Sequence, residues 1–401
     1  MENNTTLKAS TKWSFGIANF FMQMVVSISV GYFAFFITDV ISLSTASMGV
    51  ITTIGGFADF FAIFLWAGTI QYSNLKWGRY RSWLILTCPL VVIGHMMMYA
   101  NWGLSESVWV IVLVIAYSVA NIGSNALTVA SYGLITKVGQ TDADRMGILT
   151  RQNILHNGAR VIGGAIILPI IVFFGGSNTA PIGYFAYFGI FSVLTLLSYL
   201  YLAKATKRYD YYDPNFKADA SNKVSPMDML RAVMGNKNLM ILLLGNIIIS
   251  FGSMCQGVVG AYFFTYICGD LGYFAAYSAA VPFAGVLGSL LTPLLVARID
   301  KKKLYQICMY LFTLLHALLY ALYLINGTVG ALPTTVILCV AFFINSVQMT
   351  YHDTFYMDCA EYSYNKTNKD VTPVIMALPW LKKIAIGVSG GICAAVLTSA
   401  G

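Results

Sequence analysis

Long apolar blocks, most of them about 20 residues or more, alternate with short polar stretches along the whole chain. As helices, blocks of that length cross roughly 30 Å of hydrocarbon. The pattern predicts eleven spans, at about 13–38, 46–72, 82–100, 107–135, 150–175, 179–203, 239–267, 272–297, 304–325, 331–357 and 373–401. Eleven spans starting inside would finish outside, and the last block stops at Gly401 without a charged flank, so a twelfth span is expected to be missing. The first block is too long for a cleaved signal peptide and has no small-residue cleavage site.

Lysine and arginine sort the intervening stretches into two classes. Those after even-numbered spans hold Lys76, Arg79 and Arg81; Lys137 and Arg145; Lys204 through Lys237; Arg298 and Lys301 to Lys303; and Lys366 and Lys369. Those after odd-numbered spans hold neither residue type and carry Asp39, Glu106 and Asp270. The positive-inside rule then puts the N-terminus and the basic loops in the cytoplasm, as expected of a multi-pass protein of the plasma membrane.

The longest polar stretch, 204–238, divides a six-span half, 1–203, from a five-span half, 239–401. Within it Ser225-Pro226-Met227-Asp228 reads as a helix start, and Met227, Leu230 and Val233 would lay a short helix on the membrane surface. The halves echo each other. Gly31 to Asp39 closes the first span much as Gly260 to Asp270 closes the seventh, and basic turns follow the second and eighth spans. Matching features in one order imply two parallel six-helix repeats.

Composition supports a membrane class: 58 % of residues are hydrophobic and 10 % charged, where soluble domains have about 25 % charged. The net charge of +8 is accounted for by the basic loops and needs no nucleic-acid partner. The seven cysteines are scattered without a CxxC pair, which fits small apolar packers rather than metal or redox groups. No nucleophile–base arrangement, phosphate loop or metal spacing suggests an enzyme, a cofactor or a metal site.

Asp59 is the exception to the apolar rule. It stands well inside the second span, ahead of the turn Lys76-Trp77-Gly78-Arg79-Tyr80-Arg81. A charge at membrane depth costs roughly 2.5–3.5 kcal/mol on insertion scales, so it is kept where it faces a bundle interior, a partner or a wet cavity. Asp59 is read as a coupling-ion or proton-carrying group, or else as half of a structural ion pair. Arg160 and Lys383 are the cations furthest into apolar sequence.

Polar residues three, four and seven apart share a helix face. Such stripes occur at Asn19, Gln23 and Ser27; at Asn121, Ser124, Asn125, Thr128 and Tyr132; at Asn153, His156, Asn157 and Arg160; at Ser250, Ser253 and Gln256; and at Asn345, Gln348, His352 and Tyr356, with Asp353 beside them. One stripe is equally well explained as contact between helices. Five stripes from both halves point to one polar cavity. Flanked by Trp66, Tyr32, Tyr351 and Tyr356, it suits a hydroxyl-rich small molecule.

These residues carry a resemblance. Asn19 to Asp39, the second span with its basic Trp-Gly turn, Ala261 to Asp270, Met357-Asp358-Cys359-Ala360-Glu361-Tyr362, and Lys383 followed by Gly387 are similar, in order, to the glycoside–pentoside–hexuronide:cation symporters, the melibiose permease family. The resemblance covers nearly the whole chain. It implies an all-α major-facilitator fold. It also implies uptake of a sugar or glycoside with sodium or protons, the cation lying near the first, second, fourth and eleventh helices.

The chain departs from that family at functional positions. Where its second helix has Asp-x-x-x-Asp-Pro, this chain has Asp59-Phe60-Phe61-Ala62-Ile63-Phe64. Acidic positions in the first and fourth helices fall on Gln23 and Thr128, and a basic one in the fifth falls on Asn153, beside Arg151. A lone carboxylate makes a poor sodium site and an adequate proton site. The expectation is a secondary transporter for a sugar, glycoside or related polar solute, with protons favoured over sodium. Asp59 and Lys383 form its coupling pair, and Asn125, Thr128, Asn153, Arg160, Gln256, His352 and Asp353 bind substrate. The alternatives are a passive facilitator or exchanger, a lipid carrier on the same fold, and a receptor that binds without transporting.

Overall fold

The computed structural model describes residues 7–71, 73–212, 214, 235–367, 382 and 384–400. Every regular element among them is helical: α1 (Ala9–Phe35), α2 (Thr45–Gln71), α3 (Arg81–Tyr99), α4 (Glu106–Val138), α5 (Asp142–Gly175), α6 (Pro181–Ala205), α7 (Lys237–Tyr262), α8 (Gly272–Val296), α9 (Lys301–Asn326), α10 (Ala331–Thr367) and α11 (Ile384–Ala400). Nine of these described helices are long and apolar enough to cross a membrane, by length and composition. The short surface helix expected around Met227 falls outside the described residues, as do Lys383 and most of the stretch before α11.

Local chemistry sets many of the ends. Thr141 caps α5 by accepting from Asp144 N at 3.1 Å, Asn236 caps α7 by accepting from Leu239 N at 3.1 Å, and Asp300 caps α9 by accepting from Lys302 N and Lys303 N. Pro181 opens α6. Gly176 and Gly327, both left-handed, close α5 and α9.

The chain groups into two units, Met1–Asp219 with Ile386–Gly401, and Ala220–Ala385. In the first, α1 packs on α5 and α6, α2 on α4, and α3 on α4 and α6. Helix α11 joins this unit through small residues. A Cβ on Gly390 would lie 2.3 Å from Thr52 Oγ1, and one on Gly49 would lie 2.5 Å from Ala394 Cβ. Without hydrophobic attraction to separate helix from lipid, such close backbone approach is what holds membrane helices together. In the second unit α10 packs on α8 and α9.

The internal echo is written in the backbone. Helix α1 ends in a π-helical turn, Phe36–Val40, and α7 ends in another, Phe263–Ile267. Ile41 N bonds Phe36 O and Cys268 N bonds Phe263 O; Leu43 N bonds Ile37 O and Asp270 N bonds Phe264 O. Each turn is followed by a left-handed residue, Ser42 at φ 56° and Gly269 at φ 79°. The backbone therefore aligns Leu43 with Asp270.

Candidate functional site

The polar seam of the first unit lies between α2 and α4. Gly55 comes one turn before Asp59 on α2, and its missing side chain admits Tyr117 of α4: a Cβ there would lie 2.0 Å from that ring. The close approach brings Asp59, only 7 % exposed, against Asn125. The Asn125 side-chain amide donates to Asp59 Oδ1, to the Asp59 backbone oxygen at 3.3 Å and to the Asn121 backbone oxygen at 2.9 Å. Above and below, Asn121 Nδ2 reaches Gly55 O at 3.4 Å and Trp66 Nε1 donates to Ile122 O at 2.8 Å. The buried carboxyl group thus shares the Asn125 amide with two backbone oxygens, and such a hydrogen bond contributes about 1.5–3 kcal/mol when its acceptor is ionised.

Helix α11 passes the same stretch of α2. A Cβ on Gly387 would lie 3.1 Å from Phe57 N, two residues before Asp59. Lys383, four residues before Gly387, lies outside the described residues, and so do the side chains of Asp353 and Tyr351. Lys382 is exposed.

The other expected residues are dispersed over both units. Thr128 is half-buried with its hydroxyl donating to Ser124 O at 2.8 Å. Asn153 is exposed and its backbone oxygen accepts from Asn157 Nδ2 at 3.0 Å, while Arg160 is half-buried two turns along α5. Arg151 lays its guanidinium over the Trp13 ring of α1, 5.3 Å from the centroid. Tyr32 is buried beside Tyr184, and Trp66 packs on Trp83, so neither ring is an open platform.

In the second unit Gln256 Nε2 donates to Tyr277 Oη at 3.2 Å, tying α7 to α8. Both residues line a cavity of about 430 Å³ together with Ser253, Phe312, His316 and Asn345. Gln348 Nε2 donates to Asn345 Oδ1 at 2.8 Å, so the α10 stripe is linked to that lining. His352 is elsewhere: it is buried, its ring stacked on Tyr305 at 6.0 Å and edge-on to Tyr356 at 5.6 Å. Tyr356 Oη in turn accepts from Asn246 Nδ2 at 3.1 Å.

Sequence reasoning missed Tyr117, Tyr277 and His316. The spacing of Tyr117, Asn121 and Asn125, each four apart, would have shown the first of them. It read Asn125 as a solute ligand, and the structure places that side chain against Asp59. Among the described residues no three of His, Cys, Asp and Glu cluster as metal ligands.

Comparison with known proteins gives a consistent picture. A family model described as MFS/sugar transport protein matches residues 14–401. An isoprimeverose transporter of Lactiplantibacillus pentosus is 22 % identical over 296 residues, 73 % of this chain and 60 % of that protein. A raffinose carrier protein of Pediococcus pentosaceus is 20 % identical over 394 residues, 91 % of this chain and 58 % of that protein. The chain therefore spans about three fifths of the length of these relatives. Among solved structures, a POT family transporter in complex with 5-aminolevulinic acid shares the fold at TM-score 0.71 and 13 % identity, covering 98 % of this chain and 91 % of that one. A D-xylose-proton symporter does so at TM-score 0.60 and 12 % identity, covering 96 % and 95 %.

Proposed function

Since the chain belongs to the MFS/sugar transport protein family, we propose that it imports a sugar, glycoside or related polar solute across the plasma membrane together with a proton, its N-terminus in the cytoplasm. The observation that carries the reading is the buried Asp59 carboxylate held by the Asn125 amide. A sodium ion needs several oxygen ligands at once. Here one carboxylate oxygen is already given an N–H, and the family's second acid on this helix is replaced by Ile63. A proton needs only the one carboxylate. When Asp59 is ionised the Asn125 donor stabilises it and ties α2 to α4. When it is protonated the bond weakens and the charge that resists movement through a dry stage of the cycle is gone. Lys383 is the proposed second member of the pair: it precedes α11, whose Gly387 lies against Phe57.

The polar lining on which the solute is proposed to bind is Gln256 in the second unit, with Asn125, Thr128, Asn153, Arg160, His352 and Asp353 as further candidates. The names of the two curated relatives, an isoprimeverose transporter and a raffinose carrier, support glycosides as the first solutes to try. The halves are proposed to run 1–203 and 239–401 with 204–238 between them.

The same substitutions support a second reading, a passive facilitator: Gln23, Ile63 and Thr128 stand where the symporter family has acids. Protein reconstituted in vesicles and offered a panel of mono- and disaccharides, with proton and sodium gradients imposed separately, tests both. Accumulation above the outside concentration is expected with the proton gradient alone. Accumulation with sodium alone overturns the proton reading, and equilibration under either gradient favours the facilitator.

A further inference from the structure

The turn between α2 and α3 and the segment after α6 are built as one piece. Asp210 has no exposed surface, and its carboxylate accepts from the backbone N–H groups of Arg79 at 3.1 Å, Tyr80 at 2.7 Å and Arg81 at 2.8 Å. The Arg81 guanidinium answers by donating to Ala203 O at 2.6 Å, Asp210 O at 3.0 Å and Trp77 O at 2.8 Å. Gly78, at φ 106°, lets the two backbones touch; a Cβ there would lie 2.6 Å from Asp210 O.

The clamp joins a turn that carries Lys76 and Arg79 to a segment that carries Lys204, Lys207 and Arg208, with Lys137 Nζ 3.8 Å from Asp210 Oδ1. All but Arg79 are exposed. Among the described residues the acid in their midst, Asp210, is fully buried and spread over three backbone donors and Lys137, so it offsets little of the outward charge. Exposed rings stand beside the cations: Trp77 at 46 %, Tyr211 at 66 % and Tyr212 at 52 % exposed. All of these groups lie at or just beyond the ends of α2, α4 and α6 and at the start of α3, where the chain leaves the bilayer.

We propose that this basic and aromatic platform binds anionic phospholipid headgroups. The charge is complementary to headgroup phosphate. Tryptophan and tyrosine settle at the depth of the headgroups, apolar ring inward and polar edge outward. Basic residues in a fixed cluster at the membrane surface select anionic over zwitterionic lipid. The proposal rests on the chain spanning a membrane and not on the solute or the coupling ion.

The test uses the full chain purified in detergent, with phosphatidylglycerol or phosphatidylcholine added, and bound lipid counted by native mass spectrometry. The wild-type chain is expected to retain phosphatidylglycerol in preference. The triple substitution Lys204→Gln, Lys207→Gln, Arg208→Gln touches no clamp contact and is expected to lower that affinity about tenfold or more. The conservative double substitution Lys204→Arg, Lys207→Arg, with Arg208 kept, is expected to retain it. Equal retention of the two lipids, or no change in the triple variant, overturns the proposal. Displacement of phosphatidylglycerol by millimolar inorganic phosphate or by polyglutamate also overturns it, in favour of a soluble anion or an acidic protein surface. Uptake assays on the triple variant separate this result from the transport reading, since lipid selectivity can fail while transport stands.

Discussion

Asn125 on α4 donates from its side-chain amide to the Asp59 carboxylate on α2, and the same nitrogen reaches the backbone oxygens of Asp59 and Asn121. One amide thus fixes both the acid and the spacing of two helices. Asn125→Leu removes the donor and leaves a buried carboxylate without it, at a cost of about 1–3 kcal/mol. Thermal unfolding in detergent should fall accordingly. Asn125→Asp instead offers a second carboxylate in place of the donor. Solute uptake by that variant should become stimulated by sodium, and an unchanged sodium response would argue against the donor as the feature that disfavours sodium.

The α2–α11 contact gives a coupled prediction. A side chain on Gly390 has nowhere to go but into Thr52, which is buried. Gly390→Leu should destabilise by about 1–3 kcal/mol through overpacking. Thr52→Ala in the same chain should recover part of that loss. A double-mutant cycle read by thermal unfolding checks it, and strict additivity of the two changes would mean that the helices are not in contact there.

The clamp makes the turn after α2 sensitive both to Gly78 within it and to Asp210, far away in sequence. Asp210→Ala strips three backbone N–H groups of their acceptor at the start of α3, and a loss near about 2 kcal/mol is expected, the upper end for a cap. Gly78→Ala is expected to cost a similar amount, about 1–3 kcal/mol, from the positive φ alone. Limited proteolysis between Leu75 and Arg81 should quicken in both variants. A protected turn in Asp210→Ala would show that the contact contributes little.

How far was all this legible in the sequence? The helices were, because apolar blocks of membrane length have few other structures open to them, and eleven expected spans correspond to eleven described helices. Asp59 was legible because one acid in a long apolar block stands out. Its hydrogen-bond donor was not. Asn125 belongs to a polar stripe that suits a solute equally well, and only the close approach permitted by Gly55 decides which neighbour it meets. Asp210 looked like one more charge in a polar stretch, since its partners are backbone N–H groups that no sequence pattern marks. The repeat was legible in the matching ends of the first and seventh spans, and the π turns and left-handed residues supply its register through the backbone.

Acid should loosen the start of α5. Lys12 Nζ lies 2.7 Å from Asp144 Oδ1, and that hydrogen bond holds the Asp144 carboxyl below its ordinary range. A carboxyl with a lowered folded-state pKa contributes stability that is complete above its unfolded value of about 3.9 and is lost as pH falls through the folded one. The pair is near the surface, so the contribution is under about 1 kcal/mol. Below about pH 4 the wild-type chain should lose this increment while Asp144→Asn, lacking it at every pH, shows a flatter acid limb. Parallel unfolding curves for the two chains across that window would contradict the assignment.

Asp59 is proposed to carry the coupling proton. Its most direct test is uptake of a transported glycoside by vesicles holding the Asp59→Asn protein under an imposed proton gradient. The expected result is loss of accumulation above the outside concentration, with solute exchange at equal concentrations still measurable. Accumulation by Asp59→Asn equal to that of the wild-type chain would contradict it.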